Sequence, residues 1–205
     1  LAVESPLGAF PLVQKRIIEK ARLQAKPVIV ATQMLESMIH APRPTRAEAA
    51  DVANAILDGA DGVMTSAETS VGDFPGETVR TMAKIVESTE SNGIEKIADI
   101  DWDPHTTGGI ISKAAVEIAE RMQARYIVAF TKSGDTARRI SRLRSRTPMI
   151  VFTNDEKTPK HLAWSWGSNA VMAPSFDNPE ELFGWVNTYL REHGLVPVSY
   201  THLRA

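Results

Sequence analysis

Cysteine is absent from the 205 residues, which excludes disulfides, thiolate metal sites and cysteine nucleophiles together and accords with a reducing, cytoplasmic setting. Long apolar runs are also absent. None approaches the roughly 18–20 residues needed to cross a bilayer, and no basic region followed by an apolar one marks a signal peptide, so no membrane partner is expected. Neither sign of charge is in excess: 23 Lys and Arg against 25 Asp and Glu leave a net −2, and nothing draws the chain as a whole to nucleic acid. The basic run of Arg138, Arg139, Arg142, Arg144 and Arg146 is the local exception. Helical spacing spreads its first three members over more than one face and no aromatic side chain interleaves with them, so a solvated or subunit-facing helix is expected rather than a nucleic-acid surface. The five histidines lack metal-ligand spacing.

What is present is ordinary globular composition, 43% hydrophobic and 23% charged, enough for one large or two small cores. Val28, Ile29, Val30 and Ala31 form a short apolar run that reads as a strand buried on both faces, as in a parallel sheet flanked by helices. Before it, Leu12, Val13, Ile17, Ile18 and Ala21 recur at helical spacing over 12–24. After it, Thr45 and Glu48 have the spacing of a capping box, which opens a helix over 46–57 with Ala49, Val52, Ala53 and Ile56 inward and Gly59 at its end. A second buried strand is predicted over 62–66, and a helix over 78–88 with Val79, Met82, Ala83 and Val86 inward. Helix, strand, helix, strand, helix is the rhythm of βα units.

The periodicity lapses over 92–106, which reads as a linker. A second α/β segment follows, with helices over 110–122, 136–143, 162–166 and 179–192 and strands over 126–130, 149–153 and 170–172, the rhythm of a small three-layer α/β/α domain. Thr131-Lys-Ser-Gly-Asp-Thr136 lies between one of these strands and a helix. Small hydroxyl residues, a glycine and free amides at a helix start suit a phosphate, though an ordinary capped turn has the same composition.

Ala31-Thr-Gln-Met-Leu-Glu-Ser-Met38, Pro42-Arg-Pro-Thr-Arg-Ala-Glu48, Asp51-Val-Ala-Asn-Ala-Ile-Leu-Asp-Gly-Ala-Asp61 and Val63-Met-Thr-Ser-Ala-Glu-Thr69 together resemble pyruvate kinase, and the likeness continues more loosely to about Leu195. It implies an α/β fold: the last βα units of a (β/α)8 TIM barrel over 1–91, a linker over 92–106, and a truncated C-terminal allosteric domain over 107–195. The tail 196–205 fits neither the family nor the preceding rhythm. Leu1-Ala-Val-Glu-Ser-Pro6 opens in mid-pattern, where the family has just passed a metal-binding aspartate.

The implied reaction moves a phosphoryl group from phosphoenolpyruvate to ADP, giving ATP and an enolate that is protonated to pyruvate, a step of glycolysis in the cytoplasm. The implied cofactors are magnesium and potassium, whose ligands lie on parts of the family absent from these residues; no metal ligand is assigned here, and the 205 residues alone are expected to be inactive. Thr32 matches the threonine that contacts substrate near the proton-delivery face, and Ser66 and Glu68 match a polar network proposed to relay that proton. Ala67 and Thr65 depart from the glycine and leucine common there. Arg43 and Arg46 border the active site and the neighbouring subunit, and the family's homotetramer is the expected assembly. Thr131, Lys132, Ser133, Gly134 and Thr136 resemble the loop holding a phosphate of an allosteric sugar phosphate, with Asp135 a departure that opposes an anion. The rival reading is a non-catalytic phosphometabolite-binding module retaining barrel remnants.

Overall fold

The computed structural model describes residues 6–31 and 33–196. Thr32, the opening pentapeptide and the tail from 197 lie outside the described residues. Two parallel sheets organise the rest. In the first, β1 (Ile29–Ala31) pairs with β2 (Gly62–Met64), placing Val30 opposite Val63. In the second, β3 (Ile127–Phe130), β4 (Met149–Thr153) and β5 (Ser168–Met172) run side by side in sequence order.

Around the first sheet lie α1 (Phe10–Leu23), α2 (Arg46–Leu57), the short α3 (Ala67–Ser70) and α4 (Pro75–Gly93). The capping box is formed: Glu48 N–H donates to Thr45 Oγ1 at 3.2 Å and Thr45 N–H donates to Glu48 Oε2 at 2.7 Å. At the other end of α2, Gly59 N–H donates to the Ile56 carbonyl and Ala60 N–H to that of Ala55. This closure needs a left-handed residue, and Gly59 supplies it at φ 91°. Val30 and Val63 then pack on Leu35, Met38, Val52, Ala55 and Met82, the core of this half.

Several expectations for this half are corrected. Neither strand is buried on both faces: Ile29 and Met64 are each 42% exposed, because a two-stranded sheet has helices on one side only. On α1, Ile18 is buried but Leu12 and Ile17 are exposed, and Arg22 takes the inward position instead. On α4, Met82 and Thr78 point inward, whereas Val79 is exposed beside Val63 and Ala83 in an open groove. The strands are also shorter than predicted and α4 is longer, running to Gly93.

The second half has three layers. Alternation along the strands decides which side chain goes where: Ile127, Ala129, Met149 and Val151 face α5 (Thr107–Arg121), α6 (Asp135–Ser141) and α7 (Thr158–Leu162), whereas Ile150 and Phe152 face Val186 and Leu190 of α8 (Pro179–Glu192). All five residues of β4 are buried. The predicted helix at 162–166 is displaced: α7 ends at Leu162, since Asp155 Oδ1 accepts the Lys157 and Thr158 amides at 2.9 and 3.1 Å and starts the helix early. These two amides, Lys157 foremost, hold the Asp155 carboxyl below its ordinary range.

The basic run overturns its expectation. Arg142 and Arg144 are 8% and 6% exposed and join the two halves. Arg144 donates to Asp61 Oδ2 at 2.8 Å and to the Gly59 carbonyl at 2.7 Å, and Arg142 donates to the Leu23 carbonyl at 3.1 Å. Each guanidinium lies over an indole, Arg142 on Trp102 at 4.1 Å and Arg144 on Trp166 at 5.1 Å.

Candidate functional site

Parallel strands deliver their loops to one side, so the ends of β1 and β2 share a rim. After β1 the chain passes Gln33, which is left-handed at φ 53°, and then buries Met34 and Leu35. After β2 it turns through Thr65 and Ser66 into α3. One side chain ties these two loops together. Glu68 is 2% exposed; its Oε2 accepts the Ser66 amide at 2.7 Å and its Oε1 accepts the Leu35 amide at 3.3 Å. A carboxylate so placed has both oxygens engaged by backbone N–H groups, which is how a buried charge is tolerated.

Gly72 allows the chain to return closely over α3, because a Cβ there would stand 2.5 Å from the Glu68 carbonyl oxygen. Ser66 is exposed at the rim, and Thr65 Oγ1 meets Thr69 Oγ1 at 3.1 Å beside it. A second brace holds the loop after β1 from outside. Glu48 accepts the Ser37 amide at 2.6 Å and the Ser37 hydroxyl at 2.5 Å. Burial raises the Glu48 carboxyl, but the hydrogen bonds from Ser37 and Thr45 outweigh it and leave the group below its ordinary value. The sequence pattern showed Glu48 as a cap and missed this second duty, since Ser37 is not at a capping distance. Arg43 and Arg46 are both exposed where the loop enters α2.

The second candidate site lies at the carboxyl ends of β3, β4 and β5, where a cleft of about 320 Å³ is lined by Thr131, Lys132, Asn154, Ser175 and Phe176 among others. Here the 131–136 loop is a tight turn. Thr131 Oγ1 accepts the Gly134 amide at 3.0 Å, Gly134 is left-handed at φ 81°, and the Lys132 carbonyl accepts from Thr158 Oγ1 at 2.6 Å. Lys132 and Ser133 are exposed and Thr136 is half-buried in the first turn of α6. Asp135, read as an obstacle to an anion, is paired with Arg139 at 2.7 Å. Asn154 and Ser175, joined at 3.2 Å, escaped the sequence reading because they come from separate loops without a shared motif.

Two family models cover most of the chain: the pyruvate kinase barrel domain matches residues 1–79 and the pyruvate kinase alpha/beta domain matches residues 110–201. The chain belongs to the pyruvate kinase family. The pyruvate kinase of Corynebacterium efficiens is 53% identical over 190 residues, 93% of this chain and 40% of that protein. That of Mycobacterium tuberculosis is 49% identical over 192 residues, 94% and 40% respectively. A solved pyruvate kinase from Cryptosporidium parvum superposes with a TM-score of 0.85 at 34% identity, over 96% of this chain and 41% of that one. The chain thus spans about 40% of the length of the curated relatives it matches. Pyruvate kinases depend on metal ions, but among the described residues no group of three or more His, Cys, Asp or Glu forms a metal site. Nor, among those residues, is any helix long and apolar enough to cross a membrane.

Proposed function

We propose that this chain forms the end-of-barrel rim and the regulatory domain of an enzyme that transfers phosphoryl from phosphoenolpyruvate to ADP. The observation that carries the reading is Glu68, a buried carboxylate binding the loops after β1 and β2 into one rim in a chain 53% identical to a pyruvate kinase. In this reading Thr32 contacts substrate, and Thr32 and Ser66 serve the transfer of a proton to the enolate carbon, a transfer that needs a donor within about 3 Å or one water away. Glu68 serves as a positioning residue, because both its oxygens already accept backbone hydrogen bonds. Phosphoryl transfer itself relies on cations that hold and neutralise the phosphates. Magnesium and potassium are the ions we assign to the complete enzyme; at this rim both Glu68 oxygens are already taken up by backbone N–H groups.

Arg43 and Arg46, exposed at the entrance to α2, are placed in this reading to meet a neighbouring subunit of a tetramer. The cleft at the ends of β3 to β5 takes the phosphate of a sugar-phosphate effector, with Lys132 supplying charge and Thr131, Ser133, Gly134 and Thr136 the turn. The rival reading of a non-catalytic module is disfavoured by the 53% identity to a pyruvate kinase over 190 residues.

The test is a graft. Residues 1–195 replace the matching segment of the Corynebacterium efficiens enzyme, and pyruvate formation is followed in a coupled assay. Magnesium-dependent turnover within about tenfold of the host enzyme is expected, whereas a folded, tetrameric graft without turnover refutes the reading. The effector assignment is tested on the same graft: Lys132→Ala should abolish activation by sugar phosphates while basal turnover stays.

A further inference from the structure

The junction between the halves carries more positive charge than its protein partners balance. A small cavity of about 10 Å³ there is bordered by five cationic side chains, Arg22, Lys26, Arg138, Arg142 and Arg144, and by one carboxylate, Asp61. Arg22, Arg142 and Arg144 are 3%, 8% and 6% exposed, so water screens them little. Asp61 is already heavily used: Oδ2 accepts from Arg144 at 2.8 Å and from the Val28 amide at 3.0 Å, and Oδ1 from the Trp166 amide at 2.9 Å. The other carboxylates acting on the cluster are peripheral, Glu19 and Asp99 on Arg22 and Asp135 on Arg142, and Asp135 is paired with Arg139.

Two buried polar atoms at this place have no hydrogen-bond partner in the protein: Arg142 Nε and Ser165 Oγ. Both residues border the cavity and both are 8% exposed. Buried donors are paired almost without exception, and buried charges more strictly still. A ligand that accepts from a guanidinium N–H and a hydroxyl, and is negatively charged, meets both deficits at once.

We propose that the cavity is a binding site for a monoatomic anion of chloride size, held by Arg142 Nε–H and the Ser165 hydroxyl within the field of Arg22 and Arg144. The size argues for this class: the space is roughly that of one water-sized sphere, which excludes a phosphate ester or an organic acid and separates the site from the cleft at the ends of β3 to β5. Burial and Arg144 lower the Arg22 guanidinium to about 10, and burial lowers Arg142 and Arg144 as well. The anion acts as a structural ion, clamping α1 and the end of β5's preceding turn across the junction.

The experiment uses the chain itself, unfolded thermally in sodium chloride, bromide, gluconate or phosphate at one pH and constant ionic strength. Chloride and bromide should raise the midpoint over gluconate by about 3–6 °C at tenfold excess over the dissociation constant. Ser165→Ala, which removes only a hydroxyl, should weaken the chloride half-saturation point by roughly tenfold, and Arg142→Gln should abolish the response. Crystals grown in bromide should show an anomalous peak within hydrogen-bond distance of Arg142 Nε. Equal midpoints in all four salts, a response to phosphate but not to chloride, an unchanged response in Ser165→Ala, or a cavity without anomalous signal would each overturn the proposal. The last of these is the result expected if water alone satisfies the two donors.

Discussion

The two sheets are made of the same kind of strand and are buried to very different degrees. β4 has a neighbour on either side, helices on both faces and five buried residues out of five. Among the described residues β1 and β2 have only each other, and Ile29 and Met64 are each 42% exposed. An apolar run therefore reports the environment a strand is suited to, whereas burial depends on whether the partners are at hand. The comparison also locates where each half draws its stability: the second from its own layers, the first from α2, α4 and the junction with the second.

Removing the junction should produce the largest effect. Asp61→Ala leaves Arg144 buried without its carboxylate, with their side chains 4% and 3% exposed, and should cost about 3–5 kcal/mol; a urea titration reads this as a lowered midpoint for the β1–β2 half first. An unchanged midpoint for the β1–β2 half would instead show that the two halves are already independent.

Core truncation sharpens the contrast within each sheet. Phe152→Ala, 1% exposed and ringed by Trp185 and Tyr189, should cost about 3–5 kcal/mol, against less than about 1 kcal/mol for Ile29→Ala at a 42% exposed position. Similar costs at the two sites would mean that β1 is covered in solution. Hydrogen exchange gives the same contrast without mutation: the amides of 149–153 should be the slowest, and equal protection over 29–31 and 62–64 in a monomeric sample would contradict the account.

The smallest effect concerns the brace on the first rim. Glu48→Gln weakens the capping box and the hold on Ser37 and should lower stability by about 1 kcal/mol near neutral pH. Since the folded Glu48 carboxyl lies below its ordinary value, its contribution is present above the unfolded carboxyl range and is lost as the pH falls through the folded one. The difference between wild type and variant should therefore shrink on acidification; a difference that grows would reverse the assignment.

Local chemistry was legible in the sequence and long-range closure was not. Thr45 with Glu48, and Gly59 after Leu57, are short-range devices whose partners lie within a turn or two, and both formed as read. The strand-ending polar residues marked the first rim because parallel strands put such residues on one side. Arg142 and Arg144 were misread as solvated, because spacing along a helix says nothing of a carboxylate 83 residues earlier. Val79, Leu12 and Ile17 were misread as core for the opposite reason: amphipathic spacing describes a face that needs a cover without showing that the cover is present.

In the function we propose, the rim joined by Glu68 protonates or positions a bound enolate through Thr32. The most direct measurement of this is turnover and melting temperature together on Thr32→Val in the grafted enzyme. The near-isosteric change removes the hydroxyl alone, so turnover should fall on the order of 10- to 1000-fold while the melting temperature holds. A fully active enzyme that has lost about 1 kcal/mol of stability would make Thr32 a strand-end cap and contradict the account.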